Sequence, residues 1–171
     1  LHQTTMLNGD GGIGKSLLLQ QLQTCVATGA PYFDLDTRKG PTLCLYCEDE
    51  QDELQRRQKD INNSLGVRYD LLTDCHVVSR LGYDNLLMTF DNQGIGELTN
   101  FWLQLEATIK KVRHALVGID TAADTFGGNE IIRNQVRQFI QRGLTALAVK
   151  YNCAVILTAH PSQAGISSGS G

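Results

Sequence analysis

The most constraining feature of the sequence is a glycine-rich run, GDGGIGKS, at residues 9–16. It follows a short apolar run, Thr4–Asn8, and precedes a segment with helical periodicity. Glycines let the backbone turn tightly and point its N–H groups inward, and a helix N-terminus adds a positive dipole end. The fixed positions and their context match the phosphate-binding pattern G-x-x-x-x-G-K-S. We therefore expect phosphate to be bound by Gly9, Asp10, Gly11, Gly12, Ile13, Gly14, Lys15, Ser16 and Leu17.

Two side chains of this loop and one distant carboxylate carry specific chemistry. Lys15 supplies a mobile cation for β- and γ-phosphates, so we assign it a catalytic role. Ser16 offers a hydroxyl to Mg²⁺, which prefers oxygen ligands. The second group on the metal side is expected to be an acid at the end of another apolar strand, where Asp120 follows Ala115–Ile119. The sequence thus predicts a nucleoside triphosphate with Mg²⁺ held by Ser16 and Asp120.

Short apolar runs alternate along the chain with segments of helical periodicity. The predicted strands are Thr4–Asn8, Thr42–Cys47, His76–Ser79, Ala115–Ile119 and Ala154–Ala159. The predicted helices are Lys15–Thr28, Gln51–Ser64, Glu97–Val112 and Ile131–Lys150. This alternation predicts an α/β fold with a mostly parallel sheet, in which ligands bind at the carboxyl ends of the strands. Residues 81–96 are expected to hold a short hairpin around Asp91 and Asn92.

Composition excludes several classes of protein. The 171 residues, 42% of them hydrophobic, suffice for one domain with a real core. A net charge of −3 disfavours a chain whose main task is to clamp bare duplex DNA. No apolar run reaches the ~18 residues that cross a bilayer, and the start does not read as a signal peptide, so no membrane partner is expected. The five cysteines suit reduced thiols in a cytoplasmic protein, and Cys44 and Cys47 are predicted to point to opposite faces of a strand, which does not suit a metal site.

Two further polar residues follow predicted strands. Residue 121 is Thr rather than Glu, so the base that activates water must come from elsewhere. Glu48 directly follows Thr42–Cys47 and can polarise a water facing the γ-phosphate, although Glu48, Asp49 and Glu50 are also suited to capping the next helix. We assign the base to Glu48 and the capping to the other two acids. His160, after Ala154–Ala159, suits a catalytic sensor of the γ-phosphate; the alternative is an ordinary solvated histidine.

These segments resemble the RecA-fold ATPases, most closely the RepA-like hexameric helicase and AAA ATPase family of plasmids, phages and bacterial genomes. The matching pieces are GDGGIGKS, LYCEDEQDELQRR, LVGIDTAADTFGGNE and ILTAHPS, in family order. The resemblance implies a three-layer αβα fold. In it the sensor strand, Ala154–Ala159, lies between the Walker A strand, Thr4–Asn8, and the Walker B strand, Ala115–Ile119. It also implies ATP hydrolysis at the interfaces of a homo-oligomeric ring, a hexamer, with single-stranded DNA in the central hole.

The resemblance also bears on the base site and on the ends of the chain. The helix after the catalytic Glu often contributes to the adenine site, so Arg57 is expected to cover the base; the alternative is a solvated Arg57 paired with Glu53. We expect residues 1–161 to form the ATPase core, without the final strands that would carry a trans-acting Arg. Residues 162–171 are expected to be a Ser/Gly-rich mobile tail or the start of a loop. Leu1 is not an initiator residue, so a piece of a longer chain is expected.

Two other functions fit a phosphate-binding loop. A P-loop kinase would transfer phosphate to a small molecule, but it usually has a mobile lid that bears Arg, and no Arg-rich insert is evident. A nucleotide switch would bind without hydrolysis, which Glu48 argues against. Strand order separates the kinase from the RecA-like fold, since kinase-type folds place the Walker A and Walker B strands side by side.

Overall fold

A computed structural model describes residues 3–160 of the chain. Its larger sheet has five parallel strands: β1 (Thr4–Asn8), β2 (Thr42–Tyr46), β3 (Cys75–Ser79), β6 (Leu116–Asp120) and β8 (Ala154–Ala159). Their spatial order is β1-β8-β6-β2-β3. The last strand in sequence therefore lies between β1 and β6, which confirms the RecA-like order and differs from the side-by-side arrangement of kinase-type folds. The predicted tail at residues 162–171 lies outside the described residues.

Helices cover both faces of this sheet. The longer helices are α1 (Lys15–Thr28), α2 (Gln51–Leu65) and α3 (Asn100–Val112). Side chains of β2 alternate between the faces, because successive residues on a strand point in opposite directions. Leu43 and Leu45 join the core beneath α3, whereas Cys44 and Tyr46 pack with residues of α1 and α2. The predicted three-layer α/β architecture is thereby confirmed.

A small second sheet corrects one predicted helix boundary. Strands β4 (Met88–Phe90) and β5 (Gly96–Leu98) form an antiparallel hairpin, and β7 (Phe126–Gly127) pairs with β4. The Asp91 carboxylate accepts hydrogen bonds from the backbone N–H groups of Gln93 and Ile95, at 2.8 Å each, and so closes the predicted turn. Residues 96–98 are therefore strand, and α3 starts only after Thr99, whose hydroxyl oxygen accepts a hydrogen bond from the Trp102 N–H.

The segment predicted as one helix over 131–150 is not uniform. It comprises α5 (Arg133–Gln138), a π-helical stretch (Phe139–Thr145) and α6 (Ala146–Tyr151). The Gly143 carbonyl in the π-helical stretch accepts a hydrogen bond of 2.7 Å from the buried Trp102 indole. An apolar pattern with a period of 3.6 residues cannot distinguish this wider turn from regular helix. Two short elements remain: a 3-10 helix (Tyr69–Leu71) between α2 and β3, and the helix α4 (Ala122–Thr125), directly after β6.

No helix within residues 3–160 is both long enough and apolar enough to cross a membrane.

Candidate functional site

Four parallel strands bring the predicted site residues to one edge of the sheet. The strands β1, β8, β6 and β2 end at Asn8, Ala159, Asp120 and Tyr46, and a cavity of about 400 Å³ is lined by residues at or shortly after these ends. We call it the phosphate cavity. The predicted site residues that line it are Gly12, Gly14, Lys15, Ser16, Leu17, Glu48, Arg57, Asp120 and His160. Gly9, Asp10, Gly11 and Ile13 belong to the same loop but do not line the cavity.

The glycine-rich loop takes a backbone shape that needs glycine at two positions. Gly12 has φ of 76° and Gly14 has φ of 94°, the left-handed region that other residues adopt at a cost. Gly14 is the N-cap of α1, so the helix begins at Lys15 with its first N–H groups unpaired within the helix. The loop therefore presents N–H groups and a positive dipole end beside the cavity.

The Lys15 side chain is folded back onto the loop. Its ammonium donates hydrogen bonds to the carbonyl oxygens of Gly9, at 2.7 Å, and Asp10, at 2.8 Å, and only 7% of the residue is exposed. It also lies 3.3 Å from Nδ1 of His160. An ammonium can only donate, so Nδ1 accepts and the ring proton of His160 is on Nε2. The cation is thus already largely removed from water at the mouth of the loop.

Asp120 is buried at the end of β6 and is only partly satisfied. The Thr158 hydroxyl on the adjacent strand donates to Oδ1, while Oδ2 has no hydrogen-bond partner of ordinary geometry within residues 3–160. Burial raises the pKa of this carboxyl group, and the nearby Ser16 and Thr158 hydroxyls oppose the rise. An unpartnered buried carboxylate oxygen next to a serine hydroxyl is an oxygen donor set that fits Mg²⁺.

Glu48 stands at the open side of the cavity, next to other carboxylates. Partial burial raises the pKa of Glu48. The negative charges of Asp124 and Asp120 raise this pKa further, and His160 lowers it. Asp124 is held from α4 by a hydrogen bond of 2.8 Å from the Thr121 hydroxyl. A carboxylate with a raised pKa is a stronger base than an ordinary glutamate.

Arg57 lines the cavity but is already engaged by two acids. Its guanidinium donates two hydrogen bonds to Asp49, at 2.7 and 2.8 Å, and one of 2.7 Å to Glu53. The pair with Glu53 is the predicted alternative, and the structure adds Asp49. Of the two acids predicted to cap α2, Glu50 is the N-cap residue but makes no side-chain cap bond. The prediction is wrong for Asp49, which binds Arg57 instead.

Sequence reasoning missed several residues around this site. Thr158 binds Asp120, Asp124 raises the pKa of Glu48, and Arg56 and Asp60 line the cavity. A hydroxyl inside the otherwise apolar run 154–159 could have indicated the first, because that strand was predicted to pair with the strand of Asp120. The second lies four residues after Asp120, in the segment that leaves the same strand end.

Comparison with known proteins supports the same assignment. A family model described as an AAA domain matches residues 1–165, which is most of the chain. A search of curated proteins finds no match. The matched region includes the glycine-rich loop, both acids at the strand ends and His160. The chain therefore belongs to the AAA domain family of P-loop ATPases.

Proposed function

We propose that this chain hydrolyses ATP with Mg²⁺ and uses the energy to act on single-stranded DNA as part of a homo-oligomeric ring. The observation that carries the hydrolytic part is the convergence of Lys15, Ser16, Asp120, Glu48 and His160 on one cavity. Each supplies a group that triphosphate hydrolysis needs: a cation, metal-side oxygens, a base and a hydrogen-bond donor.

Binding begins at the loop. The N–H groups of residues 12–17 surround the phosphates, and the Lys15 ammonium exchanges the Gly9 and Asp10 carbonyls for β- and γ-phosphate oxygens. Ser16 and Asp120 would hold Mg²⁺, which when bound neutralises charge on the phosphate oxygens. The adenine lies toward Arg57. Asp49 and Glu53 accept hydrogen bonds from the edge of its guanidinium, so the flat face of this cation can cover the adenine ring.

Glu48 accepts the proton of the attacking water. Partial burial and the negative charges of Asp124 and Asp120 raise the pKa of Glu48, which strengthens it as a base. His160 presents its Nε2–H, since Nδ1 accepts from Lys15. This N–H senses the γ-phosphate, because it loses its hydrogen-bond acceptor when the γ-phosphate leaves after hydrolysis.

The DNA-dependent part rests on the sequence resemblance to RepA-like hexameric helicases and on the strand order. Residue 121 is Thr, and Glu48 lies just beyond β2, which pairs with β6 on the side opposite β8. The proposed base therefore comes from beside a neighbouring strand and not from the residue after Asp120. An overall charge of −3 agrees with DNA contacts that are local or shared within a ring.

Steady-state phosphate release from the full-length protein, with and without single-stranded DNA, tests this function. DNA-stimulated ATPase activity supports the motor. Phosphate transfer to a metabolite without release would instead identify a kinase. ATP binding without turnover, in the presence of single-stranded DNA, would identify a switch and contradict hydrolysis by Glu48.

A further inference from the structure

A second and larger cavity lies at the opposite edge of the sheet from the phosphate cavity. It has a volume of about 600 Å³, within the usual range of ligand pockets, and sits where β6 and β8 begin. We call it the basal cavity. Its lining includes apolar side chains from α1 and the two strands, namely Leu22, Val26, Leu116 and Ile156, with the Tyr151 ring.

The charged side chains of the basal cavity all have one sign. Arg38, Lys39 and Arg113 line it, and no Asp or Glu within residues 3–160 does so. None of these three side chains forms an ion pair in the described part of the chain. The chain as a whole is acidic, with a net charge of −3, so this local excess of positive charge is a property of the cavity and not of the overall composition.

A buried histidine in the lining of the basal cavity carries an unpaired polar group. His114 lines the cavity with 1% of its surface exposed, and its Nδ1 has no hydrogen-bond partner among residues 3–160. Burial holds the pKa of His114 down at about 4, so the ring is neutral near pH 7. Such a buried group normally finds a partner, because an unmet hydrogen bond in the interior is costly.

The hydrogen bonds around His114 fix its tautomer. His76 Nδ1 lies 3.2 Å from the Thr42 carbonyl oxygen and 3.2 Å from His114 Nε2. A carbonyl can only accept, so the proton is on His76 Nδ1 and His114 Nε2 faces it as an acceptor. A neutral imidazole carries one ring proton, which therefore lies on His114 Nδ1. The unpaired group is a hydrogen-bond donor, the type that an oxyanion seeks.

We propose that the basal cavity is a second binding site, for a small amphipathic anion that joins an apolar body to a carboxylate or phosphate group. The apolar body packs on α1, β6 and β8. The anionic group is held by Arg38, Lys39 and Arg113 and accepts the Nδ1–H of His114. A bare nucleic-acid backbone or a free phosphate does not fit as well, because neither fills the apolar floor.

The probe for this site is 8-anilinonaphthalene-1-sulfonate, titrated by fluorescence into the full chain with and without excess ATP·Mg²⁺. N-phenyl-1-naphthylamine, which lacks the sulfonate, is the matched neutral probe. The sulfonate should bind with a stoichiometry of one, at least about tenfold more tightly than the neutral amine, since hydrogen bonds to charged groups are the strong ones. Equal binding of the two probes, or displacement by ATP·Mg²⁺, would overturn the proposal.

Two double variants locate the anionic group. R38Q/R113Q removes two cations that line the cavity, and K110Q/K111Q removes two exposed cations of α3 that do not. Both change the net charge equally. We expect the first to weaken binding at least about tenfold and the second less than about twofold. If both double variants weaken binding equally, the effect is a general attraction between charges, and the proposed site is refuted.

One measurement needs no variant and so does not depend on the folding of the double variants. The Nδ1–H signal of His114 in ¹⁵N-histidine-labelled protein should shift with the same dissociation constant as the fluorescence; an unchanged signal refutes the donor role. Displacement of the probe by decanoate and by decyl phosphate distinguishes a carboxylate ligand from a phosphate ligand. If neither displaces the probe, the site is not one for these anions and the proposal fails.

Discussion

At the residue scale, affinity for nucleotide depends first on Lys15. No other lysine within residues 3–160 lines the phosphate cavity, and its ammonium is held at the loop by the Gly9 and Asp10 carbonyl oxygens. Lys15→Ala is expected to weaken ATP·Mg²⁺ binding at least about 100-fold, because hydrogen bonds to charged groups contribute about 1.5–3 kcal/mol each. Calorimetry measures this, with Lys110→Ala as a control on an exposed lysine of α3. Unchanged affinity in Lys15→Ala would contradict the phosphate-loop assignment.

Hydrolysis, in contrast to binding, depends on Glu48. Glu48→Gln keeps the shape of the side chain but removes the base, so kcat should fall at least about 100-fold while ATP affinity stays within a few-fold. Asp49→Asn is the matched control: it neutralises the neighbouring acid, which binds Arg57 and does not line the cavity. Its effect on kcat should be much smaller. The reverse order in single-turnover assays would show that Asp49 is the base.

The negative charge of Asp124 contributes to the raised pKa of Glu48, and a variant can measure this contribution. The rate should fall on the acid side as Glu48 becomes protonated, at a pH above that of an ordinary glutamate, because burial and the charges of Asp124 and Asp120 favour the protonated form. Asp124→Asn removes one negative charge but keeps an oxygen to accept the Thr121 hydroxyl. The acid limb of the kcat/KM profile should then move to lower pH. A limb that stays in place would mean that another group limits the rate.

At the element scale, α3 depends on its cap. The Thr99 hydroxyl oxygen accepts from the Trp102 N–H at 3.2 Å and its proton goes to the Leu86 carbonyl oxygen at 2.6 Å, so it joins the helix to the strand region before β4. Thr99→Ala is expected to lower the free energy of unfolding by about 1–2 kcal/mol, as cap removal does. Thr99→Ser keeps both hydrogen bonds and should lose much less. Urea denaturation of the two variants compares them, and equal losses would assign the effect to the methyl group.

The secondary-structure elements also show which features of the fold could be predicted from the sequence. The five long strands and the site residues at their ends were predictable, because buried parallel strands are apolar runs and the glycine loop has fixed positions. Hydrogen bonds between different elements could not be predicted in this way. Gln58 donates to Thr24 of α1 and to Asn62, at 2.9 Å each, in a buried polar cluster that no pattern along α2 indicates. Trp102 similarly bonds the Gly143 carbonyl of the π-helical stretch, 41 residues away in the sequence.

At the scale of the whole molecule, the phosphate cavity joins the ends of four strands, so a ligand there is linked to unfolding of the entire sheet. ATP·Mg²⁺ at 100 times its dissociation constant should raise the free energy of unfolding by about 2.7 kcal/mol. The effect depends on Asp120, whose Oδ2 is the unpaired buried oxygen on the metal side. Asp120→Asn should therefore lose the part of the stabilisation that needs Mg²⁺ and keep the part that ATP gives in EDTA.

The same substitution should not destabilise the ligand-free protein, and the sign follows from the pKa. Burial raises the pKa of Asp120 in the folded state, so its contribution to stability is greatest below the ordinary aspartate pKa and declines as the pH rises through the raised folded value. Asn has no charge whose burial would cost free energy, and its amide oxygen can still accept from Thr158. Denaturation curves at pH 7 should show ligand-free Asp120→Asn at least as stable as the parent. Lower stability of the variant without ligand would mean that the carboxylate is satisfied by its surroundings and is not held ready for a metal.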